Sequence, residues 1–134
     1  MFFRNITITL LLSVLLACSS SNAEDNLIGT FSFDSNGQMK EMYRVEKDGE
    51  NYILFDKNNY SQIWKKVETP LIVITKEEFL KATKMEALDS FAGLRKGKQL
   101  LIYKTDKGFK LGGFTSKTGY FAFYAGSFLE LHKK

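Results

Sequence analysis

Cysteine is almost absent from this chain. Its 134 residues hold one, Cys18, so no intrachain disulfide can staple the fold and no cysteine-rich zinc site can form. Histidine is equally scarce. His132 stands alone among the last three residues, which denies a metal cluster its partner ligands and a Ser-His-Asp triad a credible base. No Gly-x-Ser-x-Gly elbow and no phosphate-cradling glycine motif occurs. No run of five or six basic residues appears either, which argues against nucleic acid as a partner. Asp48, Glu50 and Asp56 are dispersed over a hairpin and lack the spacing of a calcium loop. Fifteen acids in a small domain always yield some carboxylate pairs, so glycoside cleavage by two carboxylates gains little from their number. The reading is of a protein that is not an enzyme and needs no cofactor or metal.

The N-terminus is distinctive. Arg4 gives a short positive start, and Ile6 to Leu16 form an apolar run broken only by Thr7, Thr9 and Ser13. That layout is a secretory signal peptide, too short and too lightly flanked for a membrane span. It ends in Leu15-Leu16-Ala17-Cys18, followed at once by Ser19-Ser20-Ser21-Asn22. These four positions resemble the bacterial lipobox, in which the cysteine is lipidated and becomes the new first residue. The resemblance implies residues 1–17 as a lipoprotein signal peptide and several acyl chains on Cys18. Each buried methylene contributes about 0.8 kcal/mol, so more than one chain makes a stable anchor. Ser19, rather than Asp, follows the cysteine, and by the same resemblance this implies the outer membrane, facing the periplasm. An ordinary leader cut after the small residues Asn22-Ala23 remains the alternative; it would discard Cys18.

Without residues 1–17 the chain keeps 117 of its 134 residues and loses one base, Arg4, from 19; against 15 acids that leaves a net charge of +3. This length is one domain with a modest core. Residues 18–26 read as the lipidated Cys and a flexible polar tether, and 27–134 as a single β-rich globular domain.

Within that domain, alternation of apolar and polar residues recurs in short runs separated by turn signals. Leu27–Phe33, Gln38–Glu46, Asn51–Phe55 and Tyr60–Val67 read as strands, joined across Asn36-Gly37, Asp48-Gly49 and Asp56–Asn59. Leu71–Ile74 is a short apolar strand after Pro70. Thr75-Lys76-Glu77-Glu78 fits a capping box, and the residues after it favour a helix over about 76–92, with Gly93 as its stop. Lys81 and Lys84 intrude on the apolar face, so an early end is allowed. Gln99–Lys104, Phe109–Thr115 and Tyr120–Leu131 complete the strands, with a bulge or a close backbone approach expected at Gly112-Gly113 and a break or bulge at Gly126. The fold class is therefore α+β: a mainly antiparallel β meander curling into a barrel or half-barrel, with one helix. The Ile28-Gly29-Thr30-Phe31 start followed by hairpins is similar to small lipocalin-like lipoprotein domains. The mid-chain helix departs from that pattern.

Aromatics are plentiful, with twelve Phe and six Tyr. Tyr120-Phe121-Ala122-Phe123-Tyr124 sets aromatic rings on both faces of one strand, and one face must then meet something other than the domain's own core. Tyr120, Phe121, Phe123, Tyr124 and Trp64 are thus the candidate partner-binding residues. Together these features point to a non-enzymatic, membrane-anchored lipoprotein that binds a protein partner in the envelope. That partner is an assembly component, or a toxin or hydrolase that it neutralises in the manner of an immunity protein. The alternative is a lipocalin-like carrier of a small apolar ligand.

Replacing Cys18 by Ser is expected to move the chain from the membrane fraction to the soluble fraction. Identical partition of variant and parent as free protein overturns the anchor.

Overall fold

The computed structural model describes residues 22–58 and 60–134. Residues 1–21, which hold the expected leader and Cys18, lie outside the described residues. Ordered backbone begins earlier than the expected tether boundary. Ala23–Leu27 form a 3-10 helix rather than flexible tether. Asp25 accepts hydrogen bonds from the Tyr52 hydroxyl at 2.7 Å and Lys47 Nζ at 3.0 Å, and Leu27 is fully buried.

The alternating runs become β1 (Gly29–Ser35), β2 (Gln38–Asp48) and β3 (Asn51–Lys57), all antiparallel. The β1–β2 turn uses Asn36 and Gly37 with φ of 54° and 86°, and Asp34 Oδ1 accepts the Gly37 amide at 2.7 Å. This is the left-handed geometry that makes Asn-Gly a hairpin signal. β4 is only Trp64–Lys66. Residues 60–63, expected as strand, are loop: Asn58 Oδ1 takes the Tyr60 amide and Asn58 O takes the Gln62 amide, so local bonds replace a ladder. Tyr60 is 97% exposed there and Ile63 67%.

β5 (Ile72–Ile74) leads to helix α1 (Lys76–Thr83), capped as expected by the Thr75 hydroxyl accepting the Glu78 amide at 3.1 Å. The helix does not reach residue 92. Lys84 turns left-handed, with φ 59°, and only Phe79 of the helix is buried. The apolar residues further on are used differently: Ala92–Lys96 form β6, with Ala92, Gly93 and Leu94 buried. Gly93 is not a helix stop. An added Cβ would lie 2.8 Å from the Phe91 ring and 3.0 Å from Ile74, so glycine serves close packing in a strand.

β7 (Leu100–Lys104) and β10 (Tyr120–Tyr124) pair directly, while Phe109–Thr115 divides at Gly112-Gly113 into a hairpin, β8 (Phe109–Leu111) and β9 (Phe114–Ser116). The last expected strand also divides, at Ala125-Gly126, into β10 and β11 (Ser127–Glu130), followed by β12 (His132–Lys133). Two five-stranded sheets result, ordered β12-β1-β2-β3-β4 and β11-β10-β7-β6-β5. The chain crosses between them at two corners, where the Leu71 amide bonds Tyr52 O at 2.8 Å and the Leu131 amide bonds Tyr120 O at 2.9 Å. The architecture is thus an α+β half-barrel or sandwich.

Between the sheets lies one core, built around Leu27, Phe31, Val45, Leu54, Leu94, Ile102 and Leu131. A second core lies on the outer face of the second sheet. There Phe79 of α1, Phe109 and Phe114 of the β8–β9 hairpin and Phe128 of β11 close over Tyr103 and Phe121. Phe109 stacks on Phe121 at 5.3 Å and Phe114 on Phe128 at 5.1 Å, while Phe79 meets Tyr103 edge-on at 4.9 Å. Both faces of β10 are therefore covered by the chain itself. The expectation that one aromatic face must meet a partner is corrected by this second core.

Phe121→Ala is expected to destabilise the fold by about 3–5 kcal/mol, the cost of a large cavity between well-packed rings. Tyr124→Ala, at the exposed end of the same strand, should cost no more than about 1 kcal/mol. Urea midpoints at unchanged slope measure both.

Candidate functional site

Strand direction sorts the connections onto two ends. The Asn36-Gly37 turn, the 58–63 loop, the Gly97–Gln99 turn and the Ala125-Gly126 turn share one end, the loop end. The 3-10 helix, the Gly49-Glu50 turn and the start of β10 share the other. The C-terminal strand returns to that end too: Lys133 Nζ donates to Asn26 O at 2.9 Å. The first described residues, from Asn22, therefore lie at the end opposite the loop end.

The 3-10 helix plugs its end with Leu27. The loop end is open, and a cleft of about 510 Å³ enters between the sheets there. Its inner wall holds Met42, Leu54 and Leu100; its polar groups are Tyr43, Asp56, Lys57, Asn58, Lys96, Gln99 and Tyr124. Met42 reaches the cleft because β2 carries an extra residue opposite Phe31/Ser32, a bulge that re-aims its side chain. A second concavity of about 450 Å³ shares Gln99 and Tyr124 and adds Lys98, Phe123, Ala125 and Gly126. Tyr124, 51% exposed, is thus the ridge between two hollows.

The electrostatics of this end are simple. Tyr43 is buried at the cleft wall, and its hydroxyl is pushed up to about 12 by desolvation, then by the neighbouring Tyr124 and Asp56. It stays a neutral hydrogen-bonding group over the whole physiological range. Lys57 donates to Glu41 at 3.3 Å, and that contact is the first cause holding Glu41 below the usual carboxylate range.

The five candidate residues do not form one surface. Phe121 is 0% exposed in the second core. Phe123 packs against that core and lines the smaller hollow. Tyr120 faces the inner core near the plugged end, 5.7 Å from Phe31. Trp64 lies on the outer face of the first sheet, where the Arg44 guanidinium sits 4.8 Å from its ring and 5.1 Å from Phe55. Arg44 Nε is 3.4 Å from Glu46, within ion-pair range, but this buried donor has no hydrogen-bond acceptor among the described residues. Of the five, only Tyr124 is exposed, and it stands at the open end. Sequence reasoning missed Tyr43, Asp56, Lys96 and Gln99. The period-2 placement of Tyr43 with Val45 marks an inward side chain, but nothing local says that the β6–β7 turn lies across from it.

Among the described residues no three of His, Cys, Asp and Glu gather as a metal site, and no helix is long and apolar enough to cross a membrane. Cys18 lies outside the described residues. Compared with protein-family models, curated proteins and solved structures, the chain has no match.

Tyr43 and Tyr103 both titrate at about 12 in the fold, raised first by burial, against about 10 in an unfolded chain. The folded state keeps these protons longer, so their stabilising effect is complete below pH ~10 and is lost as pH rises towards ~12. Tyr43→Phe should flatten the fall in stability across that window, measured by urea unfolding at successive pH values. An unchanged slope removes Tyr43 as a contributor.

Proposed function

We propose that this chain is a lipid-anchored envelope protein, tethered through Cys18 at the periplasmic face of the outer membrane, that binds a protein partner and catalyses no reaction. Its role is that of an assembly component or of an immunity-type protein that neutralises a toxin or hydrolase. The observation that carries the reading is Tyr124: a half-exposed ring between two hollows, at the end of the body opposite the first described residues. A tether on one end and a concave, aromatic-ridged surface on the other suit a protein that presents itself outward from a bilayer. Tyr is a favoured interface anchor because it gives large contact area with few rotors to freeze. Lys96 and Lys98 beside it add positive charge for an acidic partner surface.

The second reading, carriage of a small apolar ligand, draws on the same cleft, whose inner wall is Met42, Leu54 and Leu100. Against it, the space between the sheets below that wall is filled by packed side chains. A fluorescent fatty acid that binds with 1:1 stoichiometry and is lost on Leu100→Trp would favour the carrier.

A photo-crosslinking residue at position 124 of the full chain should give one stoichiometric adduct in envelope preparations, and the same residue at Ile72 should give none. Tyr124→Ala should then weaken binding of the purified partner by at least ~2 kcal/mol, about thirtyfold. Equal crosslinking at both positions sinks the reading.

A further inference from the structure

At the plugged end, the surface beside β10 carries a groove of about 280 Å³ lined by Lys107, Lys117, Thr118, Tyr120, His132 and Lys133. Lys104 Nζ and Lys133 Nζ approach the Tyr120 ring to 5.6 and 5.7 Å, so two ammonium groups stand close to one aromatic ring. Among the described residues Lys104, Lys107 and Lys117 make no ion pair, and Lys133 gives its hydrogen bond to a backbone carbonyl, Asn26 O. Two carboxylates lie nearby, outside the groove lining: Glu130 Oε1 accepts the Thr118 amide at 2.8 Å, its buried Oε2 has no hydrogen-bond partner among the described residues, and Asp106 accepts from Ser90 at 2.7 Å. Three lysines, Lys107, Lys117 and Lys133, line the groove and no acid among the described residues does, which leaves it electropositive.

Its position matters as much as its charge. Lys133 touches Asn26, and Asn22 is four residues from Cys18, a reach of at most about 14 Å even if fully extended. The remainder of this end is differently charged: Asp48 and Glu50 occupy the β2–β3 turn, Glu24 lies in the 3-10 helix, Asp89 lines a hollow with Ala23 and Asn26, and Asp25 is paired with Lys47. Positive charge is therefore gathered on one side of the tether end.

We propose that this groove seats an anionic phospholipid headgroup of the membrane to which the chain is anchored. The phosphate lies among Lys107, Lys117 and Lys133, and the body is held with the loop end outward. The proposal rests on the lipid anchor. It deepens that reading by giving the domain a fixed orientation, which a short tether alone does not supply. Lysines near an anionic surface each strengthen attachment roughly fivefold, and the attraction fades within a Debye length of ~10 Å at 0.1 M salt.

The test uses the full lipidated chain in vesicles of phosphatidylcholine alone or with one-third phosphatidylglycerol, with lysine modification read by mass spectrometry. The anchor holds the chain on both membranes, so any difference reports the groove. Modification of Lys107, Lys117 and Lys133 should slow at least roughly fivefold on the anionic vesicles, while Lys96 and Lys98 stay equally reactive. The protection should vanish in 1 M salt, and the double variant Lys107→Glu/Lys117→Glu should lose it at Lys133 while keeping the parent circular dichroism. Equal rates on both vesicles overturn the proposal, as does equal protection by inorganic phosphate on neutral vesicles, which would make the ligand a free anion. The intact mass of the mature chain reports the anchor separately. An acylated chain without protection rejects the groove alone; a chain without acyl groups that floats with anionic vesicles only rejects the anchor alone.

Discussion

A single constraint shapes this domain: its second sheet is buried on both faces. β7 and β10 turn Ile102 and Ala122 towards the inner core and Tyr103 and Phe121 towards the outer one. An antiparallel sheet of a small domain commonly leaves one face to water. Here a short helix and a two-stranded hairpin are spent on covering it, and eight aromatic side chains fill the space beneath them: Phe79, Phe91, Tyr103, Phe109, Phe114, Phe121, Phe123 and Phe128. The helix is short because its task is local. It places Phe79 over Tyr103 and Phe91 and then gives the chain back to the sheet.

Much of the first sheet was legible in the sequence because its signals are local. Asn36-Gly37 and Asp48-Gly49 set the turns, and apolar alternation sets the faces between them. The capping box at Thr75 was legible for the same reason. The helix end was not. Ala87, Leu88 and Phe91 keep a helix-compatible spacing, and what removes them from the helix is the demand of β7 for a neighbour in Ala92–Lys96, which no local pattern records. The aromatic surplus misled for a related reason. Aromatics on both faces of one strand admit two explanations, an external partner or a second core, and only tertiary structure distinguishes them. Tyr124 was legible, but its companions in the cleft come from β2, β3 and the β6–β7 turn, and strand order decides their meeting.

The two ends of the body differ in kind. One is sealed by Leu27 and by the Asp25 contacts to Tyr52 and Lys47, which hold the Asp25 carboxyl below its ordinary range, the Tyr52 bond foremost. The other is open, framed by turns whose left-handed residues, Asn36, Gly37, Gly97, Ala125 and Gly126, keep the rim tight. Rigid strands beneath tight turns hold a surface ready before any partner arrives, which lowers the ordering cost of association.

The edge strands carry a consequence for how the chain reaches this state. β11 flanks the second sheet and β12 the first, and both come from residues 127–133. A polypeptide emerging N-terminus first cannot complete either sheet until residues 127–133 are free. Cooperative folding thereby waits for contacts as distant in sequence as Lys133 to Asn26, 107 positions apart.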